Sequence, residues 1–194
     1  MKAPSVVAVL LGTLVGVLLF LVTWAKPINT PAPPPTPKIN TIVPMRIRIP
    51  MIQVDTVVEH VGTDAKGSMD IPKNVMNSAW YEPGYKPGAI GSAVIAAHFD
   101  TPTGAPGPFY NIERLVAGDT IEIEDQNGKT LTFVVVNQEE HSDASFPIQE
   151  VFAQNDKPRL NLITCSGTWD ETAKNYSSRL VIYAVLAEQN ATSR

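Results

Sequence analysis

Ser5 to Ala25 is a run of 21 residues without a charge, 16 of them apolar. As a helix at about 1.5 Å per residue, it matches a hydrocarbon core of roughly 30 Å. Trp24 stands near its end, where an amphipathic ring prefers the interface. The rival reading is a cleaved signal peptide, with Thr23-Trp24-Ala25 as a small-x-small cleavage site. The apolar run exceeds the ceiling of about 15 residues for a signal h-region, so a retained single-pass anchor is expected. Residues 1–4 are then a short cytoplasmic head, because so short a head offers nothing to translocate. The rest of the chain is expected on the extracellular face.

Residues 26–44 read as a linker. Six prolines fall between positions 27 and 37. They forbid a packed element and favour an extended polyproline II spacer. The folded domain is therefore expected over residues 45–190, followed by a tail at 191–194. Residues 1–40 hold three Lys and no acid, so of the 15 bases and 19 acids the remainder carries 12 and 19, a net of −7. An acidic body with no basic face is a poor nucleic-acid binder. A single cysteine excludes an intrachain disulfide framework and a multi-Cys zinc site.

The body has strand patterning. Met45 to Ile49 alternates, and Pro50 closes it. Ser92 to Ala97 is a short apolar run. Thr120 to Glu124 alternates again and leads into Asn127-Gly128, a hairpin signal of type I′ character, with Thr130 to Val136 returning. Leu160 to Thr164 and Leu180 to Leu186 are two further runs, and Pro147 to Gln154 is a short helix with proline in its first turn. Many short strands with Gly/Pro turns predict an all-β barrel or sandwich with short helices.

Three residues that can carry chemistry fall at predicted strand ends. Cys165 ends the run from Leu160, and Ser166-Gly167 is expected to turn the chain there. Free cysteine is often just a small buried hydrophobe, but outside the cell an unneeded thiol is an oxidation hazard. His98 ends the run Ala93 to Ala97. His60 and His141 lie in polar surroundings and read as surface residues. Arg179 opens the last apolar run, after a stretch Ser166 to Ser178 that reads as a loop. If the flanking strands pair, Cys165 and Arg179 share one end of a sheet. A thiolate could attack a carbonyl, an imidazolium protonate a leaving amine, and a guanidinium hold the oxyanion in a two-pronged grip.

These stretches resemble the sortases, membrane-anchored cysteine transpeptidases of Gram-positive bacteria. Gly91 to His98 resembles the strand ending in the family's catalytic His. Asn161-Leu162-Ile163-Thr164-Cys165 resembles its TLxTC signature, and Arg179 to Ala184 the strand with its catalytic Arg. The likeness continues through Ile49-Pro50, Gln53-Val54-Asp55, Trp80 to Gly84 and Ala117 to Ile121, covering about residues 45–187. Cys165-Ser166-Gly167 and its flanks look most like class F. Two positions depart from the pattern, Asn161 for the first Thr and Ala97 for the Gly before the His; neither supplies the reactive group.

The resemblance implies an eight-stranded sortase-type β-barrel. It implies that Cys165 cleaves an LPxTG-like sorting signal between Thr and Gly and forms a thioacyl enzyme. An amine acceptor then resolves it, either a peptidoglycan precursor for cell-wall anchoring or a pilin lysine. His98 becomes the acid/base and Arg179 the oxyanion and substrate clamp. Thr164, Ala97 and Asp100 are the expected substrate-side residues, with Asp100 also placed to orient the imidazole. No cofactor is expected. Glu122, Glu124, Asp125, Glu139 and Glu140 do not match the calcium site of some relatives and read as a solvated acidic face. Partners are surface proteins bearing sorting signals. Two rival functions are another wall-active cysteine acyl-transferase or peptidase, and a non-enzymatic exported β-domain with an inert Cys165.

Overall fold

A computed structural model describes residues 40–188. The head, the expected anchor at 5–25, most of the linker and the tail lie outside the described residues. Among the described residues, no helix is long and apolar enough to cross a membrane. The strands are β1 (Arg46–Ile49), β2 (Val54–Val61), β3 (Ser78–Tyr81), β4 (Gly91–Ala97), β5 (Thr120–Glu124), β6 (Thr130–Ser142), β7 (Pro158–Asp170) and β8 (Asn175–Leu186). One short helix, α1 (Ile148–Phe152), lies between β6 and β7.

The eight strands close into a barrel in the order β1-β2-β3-β4-β7-β8-β6-β5. β2 and β3 pair in parallel, as do β4 and β7, and the other neighbours are antiparallel. Closure removes exposed sheet edges. The interior is filled by the inward residues of the alternating runs, including Ile47 and Ile49 of β1, Ile121 and Ile123 of β5, and Leu160 and Leu162 of β7. β4 reads as a continuous apolar run because both its faces are covered. Ala93 and Ile95 face the core, while Val94 joins Val151, Ile163, Val181 and Tyr183 in a second cluster beneath α1.

The elements differ from the sequence reading in four places. β6, β7 and β8 run well past their apolar segments, to Ser142, to Asp170 and back to Asn175. Cys165 is therefore inside a strand, at the point where burial stops, and Ser166 to Ser178 is largely a β-ribbon instead of a loop. Gly167 absorbs the irregularity at φ 78°, between the paired positions Ser166 and Trp169 of β7. A solvated ribbon is held by its ladder bonds and needs no apolar face, so periodicity does not mark it. β2 and β3 carry too little alternation to be read alone. At Asn127-Gly128 the hairpin forms, but only Gly128 has positive φ. Asp125 organises that turn by accepting from the amides of Asn127 and Lys129. Finally, Ile42 is already packed in the core, and its amide donates to the Pro87 carbonyl at 3.1 Å. The packed body thus begins before residue 45.

Candidate active site

β7 lies between β4 and β8, so a residue on its outer face has neighbours on both sides. Cys165 stands directly opposite Arg179 in the antiparallel register. Such pairs share a face, with Cβ atoms about 4.5–5.5 Å apart. On the other side, Ala96 pairs with Ile163 in the parallel register. β4 ends at Ala97, and His98, the next residue, leaves it at the same end of the sheet as Cys165. Ile163 and Val181 belong to the outer cluster, and the two-residue period puts Cys165 and Arg179 on that same outer face. All three side chains line one cleft of about 1650 Å³.

Buried hydrogen bonds set the spacing. The Thr164 hydroxyl donates to the Ala97 carbonyl at 3.0 Å, tying β7 to β4 at the residues just before Cys165 and His98. Thr164 is 3% exposed, and its hydroxyl is spent on this internal tie. The His98 carbonyl accepts from the amide of Phe109, a fully buried ring, at 3.1 Å. The Gly107 amide donates to Phe99 at 2.8 Å. That approach needs glycine, since a Cβ at Gly107 would lie 2.4 Å from the His98 carbonyl oxygen. The loop after β4 is thus folded back onto the backbone of His98.

The Arg179 guanidinium is held from the ribbon. Nη1 donates to the carbonyls of Ser178 and Tyr176, Nη2 donates to Asn175 Oδ1, and Nη1 is 3.0 Å from Asp143 Oδ1. Asp143 Oδ2 in turn accepts from Asn175 Nδ2 at 2.7 Å. Guanidinium has five N–H groups; Nε–H and one Nη2–H have no partner among the described residues. Burial pushes the Cys165 thiol up. Arg179 pulls it down, and the charges of Asp143 and Asp100 push it further up.

Asp100 lines the same cleft, but its Oδ2 accepts from the Tyr176 hydroxyl at 2.6 Å and is not bonded to the imidazole. The histidines read as surface residues both stand outside the cleft. His60 Nε2 meets the Pro44 carbonyl at 2.9 Å, and His141 Nε2 meets the Tyr183 hydroxyl at 3.1 Å.

An apolar groove in the same cleft is lined by Met69, Ile71, Tyr81, Phe146, Ile148 and Phe152, with Tyr81 and Phe152 packed edge to face at 5.5 Å. The segment just after Ile71 is pinned by Glu59, which accepts from the amides of Lys73 and Asn74 and from Asn77 Nδ2. These donors lower the Glu59 pKa. α1, which contributes Ile148 and Phe152 to the groove, is held by Asn161, whose Nδ2 donates to the Val151 carbonyl at 2.6 Å in a buried setting. The departure from a Thr-initial signature thus has a structural use. Asp143, Asn175, Tyr176 and Gly107 escaped the sequence reading. Their segments are polar and loop-like, and only the fold brings them to the cleft. Among the described residues, no group of three His, Cys, Asp or Glu is placed to hold a metal ion.

The sortase domain pattern matches residues 47–187, well over half of the chain, and the chain belongs to the sortase family. Comparison with curated protein sequences gives no significant match. Among solved structures it is similar to sortase A from Corynebacterium diphtheriae, at 21% identity and a TM-score of 0.56 over 79% of this chain and 65% of that one. Sortase C-1 from Actinomyces oris gives 22% and 0.57 over 76% and 77%. A sortase D5 transpeptidase from Clostridium perfringens gives 20% and 0.55 over 77% and 82%. At these identities the likeness concerns the fold. The matched region is just under two thirds of the diphtheria enzyme's length.

Proposed function

We propose that this sortase is an extracytoplasmic cysteine transpeptidase. In this reading, Cys165 attacks the Thr carbonyl of an LPxTG-like sorting signal. The Thr–Gly C–N bond breaks, and His98 gives a proton to the leaving glycine amine. The acyl group then sits on sulfur as a thioester. An amine acceptor of the cell wall attacks that carbonyl, His98 takes the amine's proton, and Cys165 departs as thiolate. Arg179 faces the oxyanion in both steps through its uncommitted N–H groups. The observation that carries the reading is that Cys165, its register partner Arg179, and His98, just past the end of the neighbouring β4, line one cleft.

The apolar groove suits an extended peptide with an apolar residue upstream of the scissile bond. Ala97, beside the imidazole, and the Thr164 backbone form the floor where that peptide passes. Class F is supported by the Cys165-Ser166-Gly167 wording of the sequence. Residues 5–25 serve as the membrane anchor, with the N-terminus inside, and the proline-rich stretch serves as the linker to the barrel. The test is ligation by the full chain in detergent, using a panel of sorting peptides and an amine, read by mass spectrometry. A ligated product and a Cys165 thioester are expected. Neither appearing with any peptide overturns the reading.

A further inference from the structure

The second substrate of this reaction is an amine, and most primary amines arrive protonated at neutral pH. The cleft holds four carboxylates: Asp70, Asp100, Asp143 and Glu171. Asp143 is paired with Arg179 and Glu171 with Lys174. Asp70 caps the amide of Ile71. Asp100, two residues beyond His98, has no cationic partner among the described residues; a phenol holds it instead. Tyr176 donates to Oδ2 at 2.6 Å, leaving Oδ1 free of any hydrogen bond to a described residue.

Aromatic rings cluster about Tyr176, whose hydroxyl holds this carboxylate. Phe99 lies 5.7 Å from Tyr176, centroid to centroid, and 4.8 Å from Tyr110. Trp169 lies 5.2 Å from Tyr176. An ammonium group is favoured by this chemistry, with one anion for the charge and the rings of Tyr176 and Trp169 lining the same cleft. The hydrogen bond to Asp100 pushes the Tyr176 phenol up to about 12, so it stays a donor and Asp100 stays the acceptor. Asp100 also lies close enough to Cys165 for its charge to raise the thiol.

We propose that Asp100 and Tyr176, with Trp169 beside them in the cleft, form the binding site for the primary ammonium of the acceptor. The site rests on the transpeptidase reading and deepens it. The bound ammonium releases one proton to solvent. The resulting amine attacks the thioester carbonyl, its second proton passes to His98, and the C–S bond breaks to return the Cys165 thiolate. The carboxylate raises the local concentration of the cationic acceptor and holds it beside the imidazole. Water, the competing nucleophile, gains nothing from it.

The test compares partitioning of the thioacyl enzyme between transfer and hydrolysis, in the full chain in detergent. The ratio within one variant does not depend on how fast the thioester forms. Two nucleophiles are used: Nα-acetyl-lysine amide, which carries an ammonium, and hydroxylamine, which is uncharged at neutral pH. In Asp100→Asn the transfer-to-hydrolysis ratio for the lysine derivative should fall about tenfold or more, the scale of a lost charge-assisted contact. The ratio for hydroxylamine should stay within about threefold. Tyr176→Phe, which keeps the ring and removes the donor, should give a smaller loss with the same selectivity and supplies the test if Asp100→Asn does not fold. An equal fall for both nucleophiles means a merely structural role and overturns the proposal, as does no change for the lysine derivative in both variants. If wild-type Cys165 forms no thioester with any peptide, the transpeptidase reading fails and takes this site with it. A normal thioester with unaltered lysine transfer removes the site alone.

Discussion

Replacing Gly107 by alanine tests how tightly the imidazole must be placed. The new Cβ would lie 2.4 Å from the His98 carbonyl oxygen and 2.9 Å from its carbon. Ordinary van der Waals contact begins near 3.4 Å, so the two segments must separate by about 1 Å, the difference of those distances. The obstacle is backbone, which cannot swing aside as a side chain can. Neither segment is free to take the whole shift. His98 follows directly from β4, which is buried in the barrel, and Phe109, just past Gly107, is fully buried and bonded to the same carbonyl. His98 should therefore be displaced by a good part of an ångström. Misplacement on that scale costs about 10²-fold in rate. Overpacking should also cost about 1–3 kcal/mol of stability, or several degrees in Tm. Single-turnover thioacylation of Gly107→Ala below its Tm should be about 10- to 100-fold slow. Alkylation of Cys165 by iodoacetamide should change little, because the Cys165–Arg179 pair on β7 and β8 is untouched. Thioacylation within about threefold of wild type would refute the reasoning.

Three other outcomes are expected. Cys165→Ala should abolish ligation with an unchanged circular dichroism spectrum, while His98→Ala and Arg179→Ala each slow ligation by about 10²–10⁴-fold. The pH profile of Cys165 alkylation reports the thiolate. Burial raises the thiol and Arg179 opposes that rise, so Arg179→Ala should move the profile to higher pH. Asp143 adds to the rise, so Asp143→Asn should move it to lower pH; shifts in the opposite directions would contradict the electrostatics. Asn161→Leu strands the buried Val151 carbonyl at a cost of about 1–3 kcal/mol. A chemical denaturation curve should show that loss, and a peptide titration should show a raised KM as α1 loosens.

Much of the barrel was legible in the residues. β1, β4 and β5 were read to within a residue, because one buried face imposes alternation and two buried faces impose a continuous apolar run. The ends of β6, β7 and β8 were not legible, since their outer portions stand in solvent and are held by backbone bonds that any polar sequence can make. Asn127-Gly128 marked a turn correctly and its type incorrectly. The Asp125 carboxylate captured two amides and left only Gly128 in the left-handed region.

The candidate site divides in the same way. The linear sequence by itself determined which groups are available: one thiol, a histidine closing an apolar run and an arginine opening another, each next to a segment whose burial it could not share. Which strands become neighbours was decided by the barrel. Apolar periodicity records which face is buried and carries no label for the strand alongside, so the order β4-β7-β8 and its register had to come from closure and packing. The same closure brought Asp143 and Asn175 to Arg179, Tyr176 to Asp100 and Gly107 to His98. Those pairings join residues up to 76 positions apart, through polar groups whose partners are fixed only once the surrounding chain has excluded water.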